Sequence, residues 1–139
     1  MLAIFVEKGT ADGHKITYKS SADEYINVRT GNVVIQIQEI PHAVYERKQN
    51  DLRITIDITL KEALLGFKKT LTHLDGHPVV VDRSNQVTKP GLQIRIKNEG
   101  MPVFEQYGDY GDLIVTCTVN LPKQLTSEQQ RLFRDLFRN

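Results

Sequence analysis

The residues best suited to chemistry stand together at His73-Leu74-Asp75-Gly76-His77, where two imidazoles and a carboxylate alternate over five positions. On a straight strand, His-x-Asp-x-His would set three metal ligands on one face. Asp-Gly between apolar runs is instead a strong signal for a tight hairpin turn, and segments 67–72 and 79–82 are such runs. A type I′ turn at Asp75-Gly76 predicts that His73 and His77 splay away from a common centre. An enzyme built on His73, Asp75 and His77 therefore ranks last among the functions considered, and no metal is expected there. Cys117 falls on the apolar side of its segment with nothing nearby to lower its pKa, so a buried, inert thiol is expected. Glu105, Asp109 and Asp112 form a loose acidic group whose spacing fits no EF-hand. The chain carries no glycine-rich phosphate loop and no nucleophile elbow. The reading is of a non-enzyme: no catalytic residue, no cofactor, no metal.

The elements that must position these residues are mostly strands. Leu52, Ile54, Ile56, Ile58 and Leu60 alternate with Arg53, Thr55, Asp57 and Thr59. Leu92, Ile94 and Ile96 alternate with Gln93, Arg95 and Lys97, and Leu113, Val115, Cys117 and Val119 with Ile114, Thr116 and Thr118. Val33, Ile35 and Ile37 oppose Gln36 and Gln38. Period-two alternation gives strands with one apolar face, the pattern of antiparallel sheets packed face to face. The expected class is mostly β, a two-layer antiparallel sandwich.

Two helices interrupt the strands. Thr59-Leu60-Lys61-Glu62 is a capping box opening a short helix filled by Ala63, Leu64 and Leu65, with Gly66 as a left-handed stop. This helix is expected to plug the open end of the sandwich. Thr126 and Gln129 form a second capping box, opening a helix with Leu132, Phe133, Leu136 and Phe137 on one side and Arg134 and Arg138 near its C-terminus. That apolar stripe is either core or a two-fold interface. The polar run from Tyr45 to Asp51 reads as a linker, and Asn98 to Gly111, with three glycines and a proline, as a long loop. Met101, Val103, Phe104, Tyr107 and Tyr110 make that loop unusually apolar, so it tucks under the sandwich or faces a partner.

The chain also repeats itself. Gly13-His14-Lys15-Ile16-Thr17-Tyr18-Lys19 is echoed by Gly91-Leu92-Gln93-Ile94-Arg95-Ile96-Lys97, an offset of 78. Gly31-Asn32-Val33-Val34-Ile35-Gln36-Ile37-Gln38 is echoed by Gly111-Asp112-Leu113-Ile114-Val115-Thr116-Cys117-Thr118, an offset of 80. A period this long is one small domain per copy. The 139 residues thus predict a complete domain preceded by the back half of another, a piece of a longer protein. At 40% hydrophobic the chain can pack a core. A net charge of +1 with acids and bases interspersed argues against nucleic acid or an anionic membrane as main partner. One cysteine excludes an intrachain disulfide, and no apolar run approaches the roughly 18 residues of a membrane span.

With these features in hand, a family resemblance emerges. Thr59 to Phe67, then Leu74-Asp75-Gly76, Pro90-Gly91, Glu99-Gly100-Met101-Pro102 and Gly111-Asp112-Leu113-Ile114-Val115 resemble the carboxy-terminal region of DnaJ-type co-chaperones, and Gly13 to Tyr18 and Gly31 to Val34 extend the match across nearly the whole chain. The resemblance implies tandem β-sandwich domains: residues 1–45 as the back half of the first, 46–51 as linker, 52–122 as the complete second, and 123–139 as a dimerisation helix. It implies dimerisation through Leu132, Phe133, Leu136 and Phe137. It further implies binding of unfolded polypeptide clients and their delivery to the seventy-kilodalton heat-shock chaperone, with no nucleic acid and no membrane. Tyr45, in Pro41-His42-Ala43-Val44-Tyr45-Glu46-Arg47, matches the aromatic lining the client groove; its alternative role is a plug between domains. Thr72-His73-Leu74-Asp75-Gly76-His77 resembles the endoplasmic-reticulum-luminal branch most, ahead of the cytoplasmic members. The competing function is a ligand- or sugar-binding sandwich using Tyr107, Tyr110, Asp109 and Asp112.

Overall fold

The computed structural model describes residues 3–18 and 31–137. Lys19 and Arg138, each part of an expectation above, lie outside the described residues. In chain order the elements are β1 (Lys15–Tyr18), β2 (Val33–Gln36), β3 (Glu46–Lys48), β4 (Asp51–Thr59), α1 (Leu60–Leu65), β5 (Lys68–Thr72), β6 (Pro78–Asp82), β7 (Gln93–Ile96), β8 (Leu113–Asn120) and α2 (Ser127–Leu136). The fold is mostly β, and among the described residues the strands lie in three sheets: β1-β2, β3-β4-β8-β7 and β5-β6. The β1-β2, β3-β4 and β5-β6 pairs are antiparallel. Between β4 and β8, Asp51 meets Asp112 and Asp57 meets Thr118, so contacts advance in the same direction along both strands.

The chain forms two compact units, residues 1–54 with 95–115 and residues 55–94 with 116–139. In the first, Tyr45, Leu52, Ile54, Leu113 and Val115 are buried. In the second, Ile56, Ile58, Ala63, Phe67, Val79, Val81 and Cys117 are buried. The alternation read from the sequence is what buries them: along β4 every second residue from Leu52 to Ile58 is inside, while Thr55, Asp57 and Thr59 are outside. Cys117 is fully buried, and that burial pushes its thiol pKa up. Val33 and Val34 of β2 are both exposed, so this strand lacks the buried face its alternation predicts.

Three backbone hydrogen bonds of the internal repeat recur in both copies. Gly13 N–H donates to Ile37 O (2.7 Å) and Ile37 N–H to His14 O (2.8 Å). At the same offsets Gly91 N–H donates to Cys117 O (2.8 Å) and Cys117 N–H to Leu92 O (2.9 Å). The preceding turn recurs as well: His14 N–H to Ala11 O (3.2 Å) corresponds to Leu92 N–H to Lys89 O (3.1 Å), with φ +81° at Gly13 and +80° at Gly91. Thr10 and Thr88, again 78 apart, are the two buried polar residues among those described. In each copy an arginine reaches the carbonyl just before that threonine. Arg47 Nη2 donates to Gly9 O (3.0 Å), and Arg83 Nη2 to Val87 O (3.0 Å).

Four local expectations are corrected. The supposed linker contains β3, paired Glu46 with Arg53 and Lys48 with Asp51 across a two-residue connection in which Gln49 has φ +56°. Its polarity suits a short, charged edge strand as well as it suits a linker. The segment from Asn98 to Gly111 is a folded arm, closed by Gly100 N–H to Gly111 O (2.8 Å) and Val103 N–H to Asp109 O (2.8 Å). Gly100 and Gly111 serve close approach: Met101 N–H donates to Asn50 O (2.8 Å), and a Cβ on Gly111 would sit 1.9 Å from that same oxygen. Gly66 is not a left-handed cap. Its φ of +102° and ψ of 166° return the chain to extended geometry beside the 83–85 backbone. Finally, the Asp75-Gly76 turn is not type I′. Only Gly76 has positive φ, +92°, and Gly76 N–H donates to His73 O while His73 N–H donates to His77 O (both 2.9 Å). This is a three-residue hairpin loop whose glycine forms a bulge.

The two glycines call for different penalties. A Cβ on Gly76 meets nothing within 4 Å, so Gly76→Ala is expected to lose roughly 1–2 kcal/mol from positive φ alone. A Cβ on Gly66 would lie 2.4 Å from Asn85 N, so Gly66→Ala should lose about 3 kcal/mol or more. Urea unfolding of both variants checks the order; a Gly66→Ala loss no greater than that of Gly76→Ala would contradict it.

Candidate functional site

Both helices of the second unit are fastened at their N-termini as the sequence predicts. Thr59 Oγ1 accepts from Glu62 N–H (3.2 Å) and Glu62 Oε1 from Thr59 N–H (3.0 Å). Thr126 Oγ1 accepts from Gln129 N–H (3.1 Å) and Gln129 Oε1 from Thr126 N–H (2.9 Å). Glu62 is held below its usual carboxylate range, chiefly by the Thr59 backbone N–H. Beyond these fastenings the helices bury little. Of α1 only Ala63 is buried, and Leu64 and Leu65 are exposed rather than plugging a core. No residue of α2 is buried.

The exposed apolar side chains form one groove. Leu64 and Leu65 from α1, Leu121 and Leu125 from the segment after β8, and Phe133, Leu136 and Phe137 from α2 line a hollow of about 810 Å³. Leu121 is 71% exposed, Leu136 70% and Phe137 62%, although the hollow is predominantly apolar. The Phe133 and Phe137 rings are parallel at 6.3 Å, one helical turn apart. Of the four stripe residues, Phe133, Leu136 and Phe137 line the groove, whereas Leu132 is exposed and does not. The α1 and post-β8 leucines were not expected at this site. Their signal was present as four leucines close to capping and proline residues, with no strand alternation to account for them.

Tyr45 is 5% exposed, and burial, reinforced by the Glu99 carboxylate, raises its hydroxyl pKa. His42 Nδ1 accepts from the Val44 and Tyr45 N–H groups (3.1 and 3.2 Å), fixing the bend that turns Tyr45 inward. In the competing ligand site, Tyr107, Asp109 and Tyr110 line a separate hollow of about 570 Å³ in the first unit, with Tyr107 fully exposed at its rim. Asp112 is not among them. Its carboxylate accepts from Arg95 Nη1 at 2.6 Å, which holds it below the usual carboxylate range. His73 and His77 do not splay: their rings stack at 4.6 Å and 15°.

Sequence comparison fits this architecture: the family model "DnaJ C terminal domain" matches residues 1–122. The chain belongs to the DnaJ C-terminal domain family. Among curated relatives it is 38% identical over 130 residues to "DnaJ homolog shv" of Drosophila melanogaster, covering 94% of this chain and 36% of that protein. It is 34% identical over 130 residues to "DnaJ homolog subfamily B member 11" of Bos taurus, covering 94% and 36%, and 36% identical over 135 residues to "DnaJ protein ERDJ3B" of Oryza sativa subsp. japonica, covering 97% and 38%. The chain thus spans little more than a third of the length of the curated relatives it matches.

The groove depends on α2 remaining helical, and its N-cap is the polar fastening that can be removed cleanly. Thr126→Ala is expected to lose about 1 kcal/mol locally, raising amide exchange at residues 127–130 about fivefold. Unchanged exchange would show that other contacts, not the cap, hold this end.

Proposed function

We propose that this chain is the client-holding and self-pairing part of a DnaJ-type co-chaperone and performs no catalysis itself. The observation that carries the reading is the open apolar groove of α1, Leu121, Leu125 and α2 in a member of this family. Contiguous exposed leucine and phenylalanine surface is the mark of a protein-binding site. The groove is suited to a second copy, which would cover Phe133, Leu136 and Phe137, with Leu132 at the rim. At ~25 cal/mol per Å², each large side chain newly buried contributes roughly 1.5–3 kcal/mol, set against the entropy of association. Two protomers contribute two such sets, enough for a specific dimer.

Client holding is proposed to occur by addition of an extended segment to a sheet edge. Val33 and Val34 are exposed on β2, which belongs to a two-stranded sheet among the described residues. Tyr45 offers a client little while its ring stays buried. A dimer presents two weak sites at high effective concentration, which suits unfolded clients without sequence specificity. We propose the tandem-sandwich organisation as the frame, supported by the duplicated hydrogen bonds around Gly13 and Gly91. The seventy-kilodalton heat-shock chaperone is the proposed recipient of clients, and the endoplasmic reticulum lumen the proposed compartment. Neither nucleic acid nor a membrane is proposed as partner; no helix of the described residues is long and apolar enough to cross a bilayer.

Two measurements test this reading. The protein should suppress aggregation of a chemically denatured client without ATP; ATP hydrolysis by pure protein, or no suppression at any ratio, would overturn the holding role. The double variant Phe133→Asp/Phe137→Asp should run as a folded monomer in light scattering, with unchanged strand circular dichroism. Retention of the dimer would place the interface elsewhere, and global unfolding would make α2 part of the core.

A further inference from the structure

The stacked histidines of the β5–β6 hairpin are used by neither the proposed pairing nor the proposed client holding. The bulged turn explains how they meet. His73 N–H donates to His77 O at 2.9 Å, so the two residues face each other at the base of the loop, and their rings lie 4.6 Å apart. A ring nitrogen of His73 lies within 4.8 Å of one of His77. Asp75 is folded back over the same edge. Its Oδ1 accepts from the His77 backbone N–H at 2.9 Å, contacts His77 Nδ1 and stands 3.9 Å from His73 Nδ1. Three donor atoms from five consecutive residues therefore converge at one hairpin tip.

We propose that this tip, His73, Asp75 and His77, is a binding site for a divalent transition-metal ion of the zinc class. Two imidazoles and one carboxylate make a donor set that suits zinc better than magnesium or calcium, which take oxygen ligands. Ligands about 2.0–2.1 Å from a tetrahedral ion are roughly 3.3 Å apart, so His73 Nδ1 and Asp75 Oδ1 need to approach by only a few tenths of an ångström. The ion would replace the ring proton in the His77 Nδ1–Asp75 Oδ1 contact, with those two atoms parting to the spacing of ligands on one ion. Exposure of the three side chains is graded: His73 is 9% exposed and anchored, His77 41%, and Asp75 68%, leaving an open side for a water ligand. The Asp75 carboxyl is held below its usual range, chiefly by the His77 backbone N–H, so it is charged when an ion arrives. Bound metal would staple the strand-to-strand connection at its tip. This proposal does not depend on the chaperone reading.

Calorimetric titration of the protein with zinc chloride near neutral pH should show one ion per chain and a raised Tm. Affinity should weaken as the solution is made more acidic, because metal ligands must be deprotonated and protons compete for them. His77→Gln, at the half-exposed position, should weaken binding at least tenfold and abolish the Tm shift while leaving circular dichroism unchanged. Asp75→Asn should weaken binding in the same direction without removing the stacked rings. Absence of zinc binding to the unmodified protein overturns the proposal, as does binding that survives both His77→Gln and Asp75→Asn.

Discussion

A single carbonyl oxygen sets the register of the longest strands. Asn50 O enters the arm between β7 and β8, accepting from Met101 N–H, in a space that exists because residues 100 and 111 lack side chains. Immediately beyond, Leu52 N–H donates to Asp112 O (2.9 Å), and Asp112 N–H to the Asp51 carboxylate (2.8 Å). The starts of β4 and β8 are thereby fixed to one another. Because side chains alternate with period two, a slip of one residue would turn Leu52 and Ile54 outward and bring Arg53 in. The Arg95–Asp112 ion pair adds a polar clamp at the same place. The burial of each long strand thus follows from a backbone contact that tolerates no Cβ.

The two copies solve the same problem with different means. The glycine turn and its two strand hydrogen bonds recur at offsets of 78 and 80, yet the arginines that reach the preceding segment, Arg47 and Arg83, come from non-equivalent positions. What is duplicated is the backbone. A buried threonine lies beside that turn in both copies, and its polar groups need satisfying whichever element supplies the donor or acceptor.

Strand alternation, both capping boxes and the repeat were legible in the sequence because each rests on local spacing, and the structure reproduces them in β4, β8, α1, α2 and the paired turns. The corrections at the glycines share one physical source. Gly66, Gly100 and Gly111 were read as flexible or capping residues, whereas they admit backbone from segments distant in sequence. The Asp-Gly signal located the hairpin but not its loop length, and that one residue decides whether His73 and His77 part or stack. At the groove, the α2 stripe was visible as periodicity. Its leucine neighbours on α1 and after β8 were not, since only the tertiary fold brings them beside it. Tyr45 shows the converse: a family resemblance pointed to the residue, but its burial depends on the bend held by His42, which no local pattern announces.

The terminal helix has a reciprocal box at its start, only Arg134 as favourable charge in its last turn, and no buried residue anywhere along its ten positions. A helix of that length is marginal in water on its own, because nucleation outweighs what so few turns return. Its order is consequently conditional: the free energy that keeps it wound must come largely from whatever rests on its phenylalanines. Under the pairing proposed above, winding and association at this surface would be two views of one equilibrium. Dilution, which acts on association, would in that pairing also act on secondary structure, so that concentration alone would set how much of α2 is wound.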